Sequence, residues 1–373
     1  MRVLFLTNVP FPPREGIGHH LLGLGTALAR LGVRVEIFAR GATRRPKEGQ
    51  YAGLTYRLFP YPPVKPFHHA WLRPILQGWL DRRRAVDVVH VHLPLLPPLR
   101  VGVPVVVTVH TPMLTDARSI REGALRPLAA RLHARLFSRR YEDAWLRRCD
   151  LLLAVSGSVA RELAACYRLE GRVPIVVPNG VDPARFRFAP LSHRPPVILY
   201  AGRLGPRKGL RRLLEAFARL PRKRYRLVLL GDGPLAAELR RRARRLGIAA
   251  ETAFLGHGDA GRVAAWLRRA RCFVLPSDYE GFPLVLLEAM ASGAPVVTTP
   301  IGALDELGED PPLRVAAPDP DALAQAIRDL MEDPEAAALQ ALRARRLVCE
   351  RFTWHAAATR VLDGYRGLLR CAA

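Results

Sequence analysis

The 373-residue sequence predicts an α/β protein built from two doubly wound domains. Short runs that are apolar throughout, such as residues 3–6, 105–107, 151–155, 197–201 and 272–275, alternate with longer segments of helical period. Runs of that kind are strands of parallel sheet, covered on both faces. Glycine or proline directly follows 197–201 and 272–275, where a parallel sheet turns into its crossover helix. The length suffices for two domains. A stretch rich in Pro, Arg and Phe, 183–196, reads as the linker between them.

In chain order, residues 2–8 form the first strand, and a loop from Val9 to Glu15 leads into Gly16-Ile17-Gly18 and a helix that runs to about Arg30. Glycines between a strand and a helix let a phosphate or a sugar approach the backbone. The pair falls short of the six-residue dinucleotide fingerprint, which argues against a simple dehydrogenase. Val33–Phe38 is the second strand, and 41–85 is less regular. Asp87–His92 and Pro104–His110 are strands that end in histidines. His90 and His92 read as packed residues, whereas His110, followed by Thr111-Pro112, lies where a strand end meets a crevice. Between Arg121 and Arg148, Leu125, Leu128, Leu132 and Leu136 recur at helical spacing among eight arginines. Strands at 151–155 and 175–177 follow, the first leading to a short helix capped by Ser156 or Ser158. Pro178-Asn179-Gly180-Val181-Asp182 reads as the loop leaving the domain.

The second domain opens on the strand 197–201. Gly202-Arg203-Leu204-Gly205-Pro206-Arg207-Lys208-Gly209 then has the chemistry of a phosphate loop: glycines for close approach, a guanidinium and an ammonium. Lys208 stands out because only four of the 58 basic residues are lysines. Arg207, Arg211 and Arg212 are compatible with an ordinary surface, and the arginines of 240–245 with a solvated helix face. The chain centres on Asp278 to Val297. A loop carrying Glu280 precedes a helix carrying Glu288, Pro283 suits the first helical turn, and Gly293 stops the helix. The backbone N–H groups of Gly281, Phe282 and Leu284 are expected at the positive end of the helix, beside the carboxylates. Anion donors beside hydroxyl acceptors suit a sugar nucleotide. Asp319 and Asp321 read as helix caps rather than metal ligands.

Composition narrows the partners. A net charge of +25 favours anions: nucleotide phosphates, acidic lipid surfaces or nucleic acid. The stretch 65–84 mixes Phe67, Trp71, Leu72, Ile75, Leu76 and Trp79 with Lys65, Arg73, Arg82, Arg83 and Arg84, a pairing suited to an anionic membrane surface. No run reaches the length of a spanning helix, and the start lacks the pattern of a signal peptide. Five cysteines, 149, 166, 272, 349 and 371, lack metal spacing and fit a reducing cytoplasm.

Glu280-Gly-Phe-x-Leu-x-x-x-Glu288-Ala-Met-Ala-x-Gly-x-Pro-Val resembles the donor-site signature of the retaining GT-B glycosyltransferases of family 4, also called group 1. It departs where Pro283 stands at a position often held by glycine. The tracts 178–182 and 202–209 are similar to that family too, and the likeness is weakest at 41–85 and 111–148. The resemblance implies GT-B architecture, two Rossmann-like domains facing across a cleft: 1–185 binding acceptor, 186–350 binding the nucleotide sugar, and 351–373 a helix crossing back. It implies that Gly16 and Gly18 face the diphosphate and sugar, that Arg203 and Lys208 hold the diphosphate, that Glu280 and His110 contact the sugar, and that Glu288 accepts from ribose. Retention without a covalent intermediate is expected, as is activity without a metal or other cofactor.

The expected reaction is sugar transfer from a UDP-, GDP- or ADP-sugar to a hydroxyl of a lipid-linked or envelope glycan, by an enzyme peripheral at the cytoplasmic face. A GT-B-like nucleotide-sugar epimerase and a basic nucleic-acid-binding protein stay open as alternatives. No zinc finger or RNP-like motif supports specific nucleic-acid binding.

Overall fold

The computed structural model describes the whole chain except residues 14, 42–45, 61–67, 82–85, 94–95, 120–138 and 373. The chain divides into two compact units, the first formed by Met1–Arg118, Gly123–Gly180 and Trp354–Ala373, the second by Ser119–Glu122 and Val181–Thr353.

In the first unit, β1 (Arg2–Pro10) leads through α1 (Gly16–Arg30) to β2 (Arg34–Arg40). A hairpin of β3 (Lys47–Tyr51) and β4 (Leu54–Phe59) follows, then α2 (His68–Asp81), β5 (Val88–His92), β6 (Val105–Val109) and α3 (Met113–Ser119). After α4 (Arg139–Leu146) come β7 (Leu151–Ala154), α5 (Gly157–Cys166) and β8 (Ile175–Val176). Among the described residues the sheet has eight strands in the order β3-β4-β2-β1-β5-β6-β7-β8. Every pairing is parallel except that of β3 with β4. The order reverses between β1 and β5, which makes that gap the switch point where a doubly wound sheet binds ligands. Ser156 caps α5, accepting from the Val159 N–H at 3.2 Å.

The second unit follows the same plan. β9 (Val197–Ala201), a 3-10 turn at Pro206–Lys208, α6 (Leu210–Ala218), β10 (Arg226–Leu230), α7 (Ala236–Arg245), β11 (Thr252–Gly256) and α8 (Ala260–Arg269) form its first half. β12 (Cys272–Leu275), α9 (Leu284–Ala291), β13 (Val296–Thr298), β14 (Arg314–Val315), α10 (Pro320–Glu332) and α11 (Pro334–Arg351) complete it. The six strands run β11-β10-β9-β12-β13-β14, all parallel, and the order reverses between β9 and β12. Asp319 caps α10 through the N–H groups of Asp321 and Ala322, and Asp321 pairs with Arg219 at 2.6 Å.

The last helix, α12 (Trp354–Ala372), packs in the first unit, where Ala357, Ala358, Val361, Leu362 and Tyr365 join the core beneath β1, β5 and β6. Gly23 is the contact point on α1: a Cβ there would lie 2.1 Å from the Trp354 ring.

Three features depart from the sequence expectations. The hairpin at 47–59 falls in the stretch that looks irregular, because β3 is solvated on both faces and has no apolar pattern to read. Pro283 is the residue before α9, in extended conformation, rather than part of its first turn. Leu72 and Leu76 on α2 are fully buried, and Trp79 stacks on Phe38 at 3.9 Å with Arg57 above it, so these three side chains serve internal packing rather than a membrane surface. Arg82, Arg83 and Arg84, and Leu125 to Leu136, lie outside the described residues.

Tyr365 ties α12 to the sheet through the buried His90, whose Nδ1 lies 2.6 Å from the tyrosine hydroxyl. Tyr365→Phe strands that nitrogen away from water, so urea denaturation of the variant is expected to show a loss of about 1–3 kcal/mol. An unchanged stability would mean that α12 is held by its apolar face alone.

Candidate functional site

The loops after β9 and β12 lie on either side of the switch point of the second unit. After β9 the chain must turn at once from strand to helix, and Gly209 makes this possible. It is left-handed (φ 60°), and a Cβ on it would lie 1.8 Å from the Pro276 carbonyl oxygen. The two loops therefore touch backbone to backbone. Gly231 packs against Gly202 with equal closeness, 1.8 Å from a built Cβ to the Gly202 oxygen.

That contact brings Lys208 to Glu280. The lysine Nζ donates to Glu280 Oε1 at 2.5 Å, and the Ser277 hydroxyl donates to the same oxygen at 2.7 Å. Burial pushes the Lys208 ammonium down and Glu280 pulls it back, with Arg207 and Arg203 adding repulsion. Burial works to raise the Glu280 carboxyl, but the charges of Lys208 and Arg207 and the two hydrogen bonds carry it below its ordinary range. The pair is ionic. Beneath it the Tyr200 hydroxyl donates to the Arg203 carbonyl at 2.8 Å, which fixes the backbone of the loop. Arg207 lies over the Tyr279 ring, 5.9 Å from its centroid. Arg212, a plausible surface residue by sequence, is instead bonded to Asp278 Oδ1 at 2.6 Å and to the Pro276 carbonyl at 2.9 Å. It clamps the two loops a second time. Arg211 makes a two-point pair with Glu238, Nε to Oε1 at 2.5 Å and Nη2 to Oε2 at 2.6 Å.

Gly281 and Phe282 are buried between this pair and α9, whose first residue is Leu284. Glu288 is in the second turn of α9. Burial raises its carboxyl to about 7, against which Arg185 pulls downward. Gly293 ends the helix at φ 69°, and a Cβ there would meet the Phe188 ring at 2.5 Å.

The first unit holds the remaining predicted residues. Gly16 opens α1 with no atom within 4 Å of a built Cβ, while one on Gly18 would lie 3.0 Å from Pro13. His110, just past β6, is buried, and its ring meets that of His20 on α1 edge-on with centroids 4.5 Å apart. His20 Nδ1 lies 2.8 Å from the Asn179 side-chain oxygen. His90 is the packed residue its sequence position suggests, bonded at both nitrogens, to Tyr365 at 2.6 Å and Thr108 at 2.7 Å. His92 is also buried and stacks on His90, centroids 4.2 Å apart. Burial holds all four imidazoles neutral, with His20 lowered to about 4.

Within the second unit, then, Lys208 and Glu280 are brought together, with Arg203 and the start of α9 beside them. Sequence reasoning misses Ser277, Tyr200, Arg185 and His20. It reads Asn179, one of two asparagines in the chain, only as part of the loop leaving the domain.

The family described as Glycosyl transferases group 1 matches residues 182–346, and that described as Glycosyltransferase Family 4 matches residues 14–185. A glycogen synthase of Mycobacterium tuberculosis is 31% identical over 98% of this chain and 94% of its own length. Among solved structures, a sucrose-phosphate synthase of Thermosynechococcus elongatus superposes with a TM-score of 0.81 at 21% identity, covering 100% of both chains. HepE of Anabaena, crystallised with UDP-glucose, superposes with a TM-score of 0.76 at 19% identity, covering 99% of this chain and 100% of that one. Both likenesses show the same fold.

The state of Glu288 sets a pH-dependent stability. Its folded value of about 7 lies above the ordinary 4.5, so between these the native chain binds the extra proton. Its contribution therefore falls as pH rises through that window. Glu142 is raised to about 7 by the same cause, burial, so only a difference between variants isolates Glu288. Glu288→Gln is expected to gain on the parent by on the order of 2 kcal/mol between pH 5 and pH 8 in urea denaturation. A constant difference across that range would show Glu288 already ionised at pH 5.

Proposed function

This chain belongs to the group 1, family 4 glycosyltransferases of GT-B fold, and from that premise we propose that it moves a sugar from a nucleoside diphosphate to an acceptor hydroxyl with retention at the anomeric carbon. The observation that carries this reading is the Lys208–Glu280 pair at the switch point, beside Arg203 and the start of α9. The transfer breaks the bond between the anomeric carbon and the diphosphate oxygen and forms one to the acceptor oxygen. Positive charge grows on the ring and negative charge on the leaving group. Lys208 and Arg203, with the N-terminal end of α9 at 281–284, stabilise the leaving diphosphate where that charge develops. Glu280 accepts a hydrogen bond from one of the three N–H groups of the Lys208 ammonium and leaves the others for phosphate, while its second oxygen orients a sugar hydroxyl. Glu288 accepts from the ribose hydroxyls, and His110 is assigned to the sugar. A diphosphate oxygen takes the acceptor proton, so the mechanism needs no carboxylate nucleophile. These fixed cations supply the charge that a divalent ion supplies elsewhere, and we assign the transfer step no metal.

The kinetic test uses a UDP-, GDP- or ADP-sugar. Lys208→Ala and Arg203→Ala are expected to lower kcat by roughly 100- to 1000-fold, the usual loss for one group stabilising such charge. Glu288→Ala is expected to raise the donor KM. Since Lys208→Ala leaves Glu280 buried without its partner, circular dichroism checks its fold, and Arg203→Ala keeps the pair intact. Turnover should persist in a chelator. Unchanged kcat in both cation variants, or loss in chelator restored by magnesium, overturns the assignment.

We further propose a lipid-linked or envelope-glycan acceptor met at an anionic cytoplasmic surface. The support is the charge of +25 and the arginine-rich stretches 73–84 and 121–148. Leu72, Leu76 and Trp79 are committed to packing, so these three add nothing to the docking. No helix among the described residues is long and apolar enough to cross a membrane. Co-sedimentation is expected with acidic but not neutral vesicles, weakened by salt and by serine at Arg82, Arg83 and Arg84. Equal pelleting of that variant, or none at low salt, overturns the docking.

A further inference from the structure

We propose that His20, His92 and His110 form a three-imidazole site for a divalent transition-metal ion, with zinc as the best fit. The three rings converge from three elements: the first turns of α1, the end of β5 and the residue just past β6. One ring nitrogen of each lies within 4.8 Å of one of each of the others. The rings stand at 4.5, 5.3 and 5.8 Å between centroids.

The bonding pattern separates these three from their neighbour. His90 uses both nitrogens within the fold. By contrast, His20 Nε2, His110 Nε2 and both nitrogens of His92 are buried with no hydrogen-bond partner. A buried polar atom left so is costly, and three histidines sharing the cost in one place call for a common ligand. His20 is also held as metal-bound histidines are. Its Nδ1–H donates to Asn179 Oδ1 at 2.8 Å, which fixes the tautomer and leaves the lone pair on Nε2.

The donor set selects the ion. Three neutral nitrogens without a carboxylate or thiolate suit zinc, and do not suit magnesium or calcium, which take oxygen. Zinc–nitrogen bonds of about 2.0–2.1 Å in a tetrahedron place the nitrogens about 3.3 Å apart, so the rings need shift by only about an ångström to close on it. Such an ion would brace α1, β5 and β6 at the carboxyl end of the sheet. The ion takes His110 through the unpartnered Nε2 and leaves Nδ1 for the sugar contact assigned above, while the charge of the transfer step is met by Lys208 and Arg203.

The test uses the metal alone and no sugar nucleotide, so its failure leaves the transferase reading untouched. Purified chain stripped with chelator is titrated with zinc against a chromophoric competitor, and separately with cobalt(II) to read its visible absorption. One equivalent per chain, an intense four-coordinate cobalt spectrum and a zinc-dependent rise in Tm are expected. His92→Phe preserves ring packing on His90 and Phe5 and should abolish all three signals. Asn179→Ala, which removes no ligand, should weaken zinc 10- to 100-fold. Lys208→Ala should bind zinc as the parent does. The site is overturned if His92→Phe takes up zinc as the parent does, which assigns the metal to surface histidines. It is equally overturned if excess zinc gives neither uptake nor a Tm shift.

Discussion

The ion pair of Lys208 and Glu280 is the interaction on which the second unit's loops depend. It joins residues 72 positions apart, from the loops on either side of the switch point. An ammonium or a carboxylate buried without its partner is costly, so each loop stabilises the placement of the other. The backbone contact of Gly209 on Pro276 and the Arg212 clamp on Asp278 serve the same register. Stability alone would not select such a pair, because well-packed apolar residues commonly do as well or better in a core. Its place at the carboxyl ends of parallel strands, with cations beside it, fits the diphosphate chemistry proposed for it.

The first unit solves its strand ends by the opposite means. Where the second unit sets fixed charges, the first sets neutral imidazoles, driven below their ordinary range by burial and by one another. They rest on a frame that includes α12: Tyr365 holds His90, and His90 supports His92 by stacking. The last residues of the chain thus stabilise the strand ends that carry the histidines, through contacts 275 positions apart in sequence.

The fold class was legible because burial on both faces of a parallel sheet forces runs that are apolar throughout, as in 105–109 and 272–275. The end of α9 was legible for a reason as local: only glycine sits easily at φ 69° against the Phe188 ring. The hairpin at 47–59 was not legible, since β3 buries neither face and has no period to betray it. Trp79 was misleading in the other direction. An aromatic ring among arginines looks the same in sequence whether it meets a lipid headgroup or, as here, Phe38.

The sequence by itself thus determined the two α/β units, the glycine-rich loops, the rare lysine and the two glutamates of the central motif. Each of these is written in residues close along the chain, where backbone conformation and local period leave a readable mark. Only the tertiary structure decided that Lys208 spends one bond on Glu280, that Ser277 shares that oxygen, and that His20 joins His92 and His110. Those relations depend on which strand ends the sheet order makes neighbours. Sheet order is set by the packing of whole crossover units, not by any residue's own neighbours in sequence.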